Sequence, residues 1–228
     1  MPSLADALIA TTLAPACLSC ARVLDTPTRS PVCDACWRRI RVFDQPADLP
    51  VGLPHLSSVR AVGPFEDVLR DVVHGLKFQG RARLAARLGP LLRAAGAELI
   101  ARAEAVVPVP LHPWRQWTRG YNQAERLAAT LGLPVWHVLR RRRATPPQTS
   151  LDRQQRRANM ARAVAVGGWM PGGSARARRR VAGASLLLID DVLTTGATLE
   201  ACATVLRAAG AAEVRAVTVA RAVIGRRR

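Results

Sequence analysis

The sequence predicts an α/β fold: a parallel sheet flanked by helices, preceded by a small domain held together by metal. Three observations carry this expectation. Residues 186–199 read LLLIDDVLTTGATL, a short apolar run, two acids, a polar turn and the start of a helical pattern. Short apolar runs at Val59–Val62, Ala105–Leu111, Leu133–Leu139 and Val214–Ala220 alternate with segments of helical periodicity. That alternation is the pattern of a parallel sheet with crossover helices. Finally, two CxxC knuckles, Cys17/Cys20 and Cys33/Cys36, stand ahead of the first of these runs.

The first observation is the most informative. Leu186, Leu187, Leu188 and Ile189 suit a strand buried on both faces. Asp190 and Asp191 fall where such a strand emerges, and Thr194-Thr195-Gly196-Ala197-Thr198 leads into a helix predicted over 197–209. In open α/β sheets, ligands bind at the carboxyl ends of the strands. Small residues and a helix N-terminus suit a phosphate there, because several N–H groups converge and the helix dipole favours negative charge. Two acids beside an anion site repel the anion unless they serve another part of the same ligand, such as a sugar diol or a divalent metal. An ordinary buried strand with an acidic turn is the alternative reading.

At 228 residues the chain can bury one good core and carry a small appendage. No run of 18 apolar residues occurs, so no membrane insertion is expected. Met1–Ala14 is apolar without a basic n-region, which argues against a signal peptide and for a cytoplasmic protein. The formal charge is +18, from 34 basic and 16 acidic residues, and Lys77 is the single lysine. Such charge attracts polyanions, whether nucleic acid, nucleotides or pyrophosphate, or is simply a solvated basic surface.

In chain order, Ser3–Leu13 predicts a short helix with Leu4, Leu8 and Ile9 on one face. The two knuckles follow, separated by twelve residues that include Pro27 and Pro31. Four thiolates in this arrangement suit one tetrahedral structural zinc, with Cys17, Cys20, Cys33 and Cys36 as ligands; a reactive dithiol or a disulfide pair explains two evenly built knuckles less well. Cys202 lies alone in a helical pattern and reads as a core residue. A proline-rich stretch predicts a boundary, with the ribbon domain at 1–45, a linker at 46–57 and the α/β domain at 58–228.

Glu66–Phe78 is helical by its apolar spacing, and Arg81–Ala103 is a second helical region, broken near Gly89-Pro90. Lys77 closes the first of these, where its charge complements the helix dipole; a ligand role is the other reading. Val107-Pro108-Val109-Pro110 ends a buried strand in a proline-marked loop. His112–Gln123 then concentrates arginine, tryptophan, glycine and amide side chains, a mixture suited to anion or base contact. The arginine run 140–143 precedes a long basic stretch, Ala144–Met160, whose length and position fit either a surface loop or a mobile lid. Ala163–Val166 restarts a strand, and Gly167–Arg180 reads as a hairpin or flexible excursion.

Taken together, the knuckles, Leu76-Lys77-Phe78 with Gly80, the proline loop, Arg119-Gly120-Tyr121-Asn122-Gln123, Gln148–Asn159 and the 186–199 stretch resemble the ComF family. Its members carry a zinc ribbon ahead of a type I phosphoribosyltransferase-like domain. The resemblance covers nearly the whole chain. It implies that Asp190 and Asp191 take the ribose hydroxyls of phosphoribosyl pyrophosphate and that Thr194, Thr195, Gly196, Ala197 and Thr198 cradle its 5′-phosphate. It also implies that Pro108, Val109 and Pro110 mark the pyrophosphate loop, that Mg²⁺ accompanies the ligand, and that Arg153, Arg156 and Arg157 are catalytic candidates on a closing lid. The implied activity is phosphoribosyl transfer to an unknown acceptor. The family's association with natural competence implies two other readings: an accessory protein that binds single-stranded DNA or DNA-uptake proteins, or a phosphoribosyl pyrophosphate sensor.

Overall fold

A computed structural model describes residues 3–44, 52–78, 81–111, 113–141, 163–167 and 173–222. Four parallel strands form the central sheet: β1 (Ser58–Pro64), β2 (Ala105–Pro108), β5 (Ser185–Leu193) and β6 (Glu213–Arg221), in the order β1-β6-β5-β2. Val135 adds a single parallel bridge to Val106 on the outer side of β2. A small antiparallel pair, β3 (Leu139–Arg141) and β4 (Val164–Val166), stands apart from this sheet.

The apolar run at 186–189 occupies an interior strand, as its composition requires, and its alternate side chains divide between the two faces. Leu187 and Ile189 join a core with α3 (Asp67–Phe78), α4 (Leu84–Ala101) and α6 (Gln123–Ala128). Leu186 and Leu188 join a second core with α7 (Gly173–Val181), α8 (Ala197–Ala208) and the β3–β4 pair. The result is a sheet with helices on both sides, the architecture the sequence predicts.

Three details differ from the sequence reading. β5 continues to Leu193, so Asp190 and Asp191 lie inside the strand rather than beyond it. The cause is unequal neighbours: β2 stops opposite Ile189 at Pro108, whereas β6 holds β5 as far as Leu193. α4 runs unbroken through Pro90. Pro90 and Ala86 both face solvent, where a carbonyl freed by the missing N–H can reach water, while Leu88 and Leu92 stay fully buried. The segment read as a hairpin contains α7, whose arginines Arg178–Arg180 lie outside while Ala177 and Val181 are buried. β6, the last strand in the chain, lies between β1 and β5.

At the N-terminus, α1 (Leu4–Leu13) is capped by Ser3 and tied down by Asp6, whose carboxylate accepts from the N–H and hydroxyl groups of both Ser3 and Thr28. Those four hydrogen bonds hold its pKa well below the usual carboxylate range. The cysteine-bearing segment, including the short helix α2 (Asp34–Arg38), packs on α3 and α4. Cys17, Leu24, Val32 and Cys36 share their core. Arg87 of α4 stacks over Trp37 at 4.3 Å and donates to Val32 O at 2.9 Å. Of the predicted linker 46–57, residues 46–51 lie outside the described residues, while Leu53 and Leu56 are buried in the second core.

Leu188, fully buried between β5 and the α7–α8 layer, reports on the integrity of the sheet. Leu188→Ala is expected to cost about 2–5 kcal/mol of unfolding free energy in urea titration. A loss below about 1 kcal/mol would contradict this packing.

Candidate functional site

The site grows from the mismatch between β2 and β5. Because β2 ends at Pro108, Asp190 and Asp191 are flanked by strand on the β6 side only, and open toward the proline loop on the other. Val109 N–H still reaches back to Ile189 O at 3.0 Å, which fixes the loop against β5. Asn122 secures the same loop from the next segment: its Nδ2 donates to Val109 O at 3.0 Å, while its Oδ1 caps α6 by accepting from Ala124 N–H. Tyr121 donates its hydroxyl to Leu76 O, joining this segment to the end of α3.

Two adjacent carboxylates in such a place are electrostatically costly. Burial raises the Asp190 pKa first and the negative Asp191 raises it further; the Asp191 N–H at 2.8 Å, Lys77 and Arg141 oppose both effects. The balance leaves the Asp190 carboxyl pushed up to about 7. Asp191 forms an ion pair with Lys77, Nζ to Oδ1 at 2.7 Å.

A cleft of about 1020 Å³ opens over this pair, and its walls include Lys77, Val109, Pro110, Arg119, Arg141 and Thr194. Thr198 and Trp114 also line it. Of the sequence-predicted residues, Asp190, Asp191, Thr194, Thr198, Val109 and Pro110 are therefore brought to one cavity. Pro108, Thr195, Gly196 and Ala197 adjoin it in the chain without lining it. Thr195 turns its hydroxyl inward to accept from Ala197 N–H at 3.4 Å. Gly196 has φ +76°, a left-handed turn that favours glycine, and a Cβ there would have to displace the Leu53 side chain, whose Cδ1 would stand at 2.6 Å. Arg153, Arg156 and Arg157 lie outside the described residues.

Sequence reasoning underweighted two of the cleft's three cations, Lys77 and Arg141. Lys77 was explained by helix polarity, although it reaches the acids. The third, Arg119, stands in the stretch read as suited to anion or base contact; it belongs to α5 (Pro113–Arg119), and its Nη1 donates to Gln123 Oε1 at 3.2 Å. Arg141, lost in the basic run 140–143, comes to the cleft because the β3–β4 pair holds it there.

The four N-terminal cysteines form a second cluster, with all Sγ atoms within 4.8 Å of one another. A tetrahedral zinc with Zn–S bonds of about 2.3 Å has S–S edges of about 3.8 Å, and Cys20 and Cys33 Sγ are 3.8 Å apart. Backbone N–H groups already point at two sulfurs: Cys33 N–H at Cys17 Sγ and Cys36 N–H at Cys33 Sγ, each 3.4 Å. Burial opposes ionisation of Cys17, but such hydrogen bonds bring its thiol down to about 6. Burial and the neighbouring sulfurs push Cys36 up to about 12. The donor set fits a metal such as zinc. Cys202 is buried in α8, where burial raises its pKa, as expected of a core thiol.

The phosphoribosyl transferase domain family matches residues 118–228, the part of the chain that carries the paired acids and the threonine turn at the carboxyl end of an interior strand. Across most of its length the chain is similar to Competence protein F of Haemophilus influenzae, 30% identical over 74% of this chain and 75% of the relative. It is 31% identical to DNA utilization protein YhgH of Salmonella typhi, covering 81% and 87% of the two chains. Competence protein ComFC of Streptococcus pneumoniae is 27% identical over 75% and 70%. The chain belongs to the ComF family. Among its described residues no helix is long and apolar enough to cross a membrane.

The raised Asp190 pKa has a consequence for stability. A folded-state pKa above the ordinary value of about 4 means that the native protein holds a proton the unfolded chain releases. Stability is therefore lost as pH rises from about 4 to about 7. Asp190→Asn should remove that loss and be the more stable protein at pH 8, by up to about 4 kcal/mol. Parallel denaturation curves for the two proteins at pH 4, 6 and 8 check this; a constant difference across pH would refute it.

Proposed function

We propose that the cleft binds phosphoribosyl pyrophosphate with Mg²⁺ and supports transfer of the phosphoribosyl group to an acceptor. The observation that carries this reading is the placement of Asp190, Asp191, Thr194 and Thr198 in one cavity with three cations. A ligand with a vicinal diol beside phosphate groups matches both halves of that cavity. The acids accept from the 2′ and 3′ hydroxyls, and the turn opening α8 offers N–H and hydroxyl donors to the 5′-phosphate. Pyrophosphate then lies toward the proline loop and the cations.

In the reaction, an acceptor atom bonds to the anomeric carbon as the bond from that carbon to pyrophosphate breaks. The leaving group departs with the electron pair. Positive charge develops on the ribose and negative charge on the departing oxygen, so the chain's task is to position the donor and neutralise the leaving group rather than to supply a nucleophile. Carboxylates at the ribose and Lys77, Arg119 and Arg141 around the diphosphate suit those two charges. Bound Mg²⁺ would add charge neutralisation at the diphosphate. Arg153, Arg156 and Arg157 are proposed to close over the leaving group.

We also propose a structural zinc on Cys17, Cys20, Cys33 and Cys36, holding residues 1–45 as a ribbon against α3 and α4. Purified protein should carry about one equivalent of zinc by elemental analysis, and Cys36→Ser should lose it together with thermal stability. A parent protein without zinc that melts normally would refute the assignment.

For the main reading, calorimetry with phosphoribosyl pyrophosphate and Mg²⁺ should show binding to the parent. Asp190→Asn combined with Asp191→Asn should abolish it without unfolding the protein, and unchanged binding would sink the reading. Pyrophosphate release on addition of a metabolite pool distinguishes turnover from a sensor that only binds.

A second reading, single-stranded DNA handling, is favoured by the +18 charge and by relatives named for competence and DNA utilization. It requires oligonucleotide affinity that falls steeply with salt. Undetectable binding at low salt would exclude it.

A further inference from the structure

Lys77 is the single lysine among 34 basic residues. Everywhere else the chain meets its need for positive charge with arginine. The exception is a side chain whose ammonium lies in the cleft, 2.7 Å from Asp191 Oδ1. The two residue types differ in what they can do there. Lysine places a compact charge with three donors on a flexible stem, whereas arginine presents a broad planar fork. One ammonium donor on Asp191 leaves two others for a ligand.

The proline loop shows why those donors matter. Pro108 and Pro110 have no N–H, and Val109 spends its own on Ile189 O. The Val109 carbonyl is taken by Asn122. Residues 108–110 thus shape a wall but have no spare N–H for an anion, unlike the turn that opens α8. A diphosphate against that wall must be met by side-chain cations. Lys77 is held ready for this by its backbone surroundings: Leu76 O accepts from Tyr121, and Gly75 lies close under Leu18 of the cysteine ribbon, where a Cβ would be 2.6 Å from Leu18 Cδ1.

We infer that Lys77 makes the cleft selective for a diphosphate-bearing donor: its ammonium holds Asp191 toward the ribose diol and, from the same position, hydrogen-bonds a diphosphate oxygen. This requires that arginine's broader fork, placed at the same position, not satisfy both groups at once. This inference rests on the sugar-diphosphate reading of the cleft.

Calorimetry with two probes tests it, phosphoribosyl pyrophosphate and ribose 5-phosphate, each with Mg²⁺. The proteins are the parent, Lys77→Met, Lys77→Arg, and the double variant Asp190→Asn with Asp191→Asn. The parent should prefer the diphosphate. Both Lys77 variants should bind it about 10- to 100-fold more weakly, as expected for loss of a charge-assisted hydrogen bond, while ribose 5-phosphate binding changes by less than about threefold, so the preference collapses. A purely structural role would weaken both probes equally. Should the methionine variant fail to fold, the arginine variant, which keeps a charge beside Asp191, carries the test. A parent that binds both probes equally, or an arginine variant with the parental preference, overturns the inference while leaving the cleft reading intact if the double variant loses both probes. A parent that binds neither probe, or a double variant that binds like the parent, overturns both.

Discussion

Two neighbouring carboxylates must be kept on a strand whose apolar residues are buried on both faces, and much of the molecule is arranged around that constraint. Asp190 and Asp191 repel each other and are partly removed from water, a combination that would unfold a less supported strand end. The offsets are local and specific: the Asp191 N–H, the ammonium of Lys77 and the guanidinium of Arg141. Each comes from a different piece of the fold. β6 extends the ladder so that the acids are held in strand geometry, α3 delivers Lys77, and the β3–β4 pair delivers Arg141. Such an arrangement lowers stability relative to an apolar strand end, which is what a binding site is expected to do.

The cysteine ribbon enters this arrangement through α3. Its apolar residues share a core with Val72 and Leu76, and Leu18 sits on Gly75, two positions before Lys77. Tyr121 grips the same helix end from the other side, and Asn122, its neighbour, grips the proline loop. The end of α3 is therefore a junction between the cysteine cluster, the proline loop and the acids. The cysteine cluster and the acids, chemically separate, are thus both packed against or reached from the same helix end.

Much of this was legible in the sequence because each signal had one dominant physical cause. A four-residue apolar run without polar alternation can only be an interior strand or a buried helix, and the acids and threonines after it decided between them. The knuckles were legible because ligand spacing is local. What was not legible depended on tertiary context. Nothing in the periodicity of Val214–Ala220 says that it lies between β1 and β5. Pro90 normally interrupts a helix, but here it faces water while buried leucines on the other side hold α4 together. α7 has so few apolar residues that only burial of Ala177 and Val181, and Arg180 stacked 4.3 Å over Trp136, give it a place. Lys77 was hidden by an adequate explanation, since a cation at a helix C-terminus needs no further cause. Its singularity among the basic residues was the available signal.

The central claim is that the acids and the threonine turn hold two parts of one sugar-phosphate ligand. A crystal structure of the protein soaked with phosphoribosyl pyrophosphate and Mg²⁺ tests this most directly. The account predicts density for the ribose hydroxyls on Asp190 and Asp191, with the 5′-phosphate in the Thr194–Thr198 turn. Ligand bound elsewhere on the basic surface, with that cleft filled only by solvent, would contradict it.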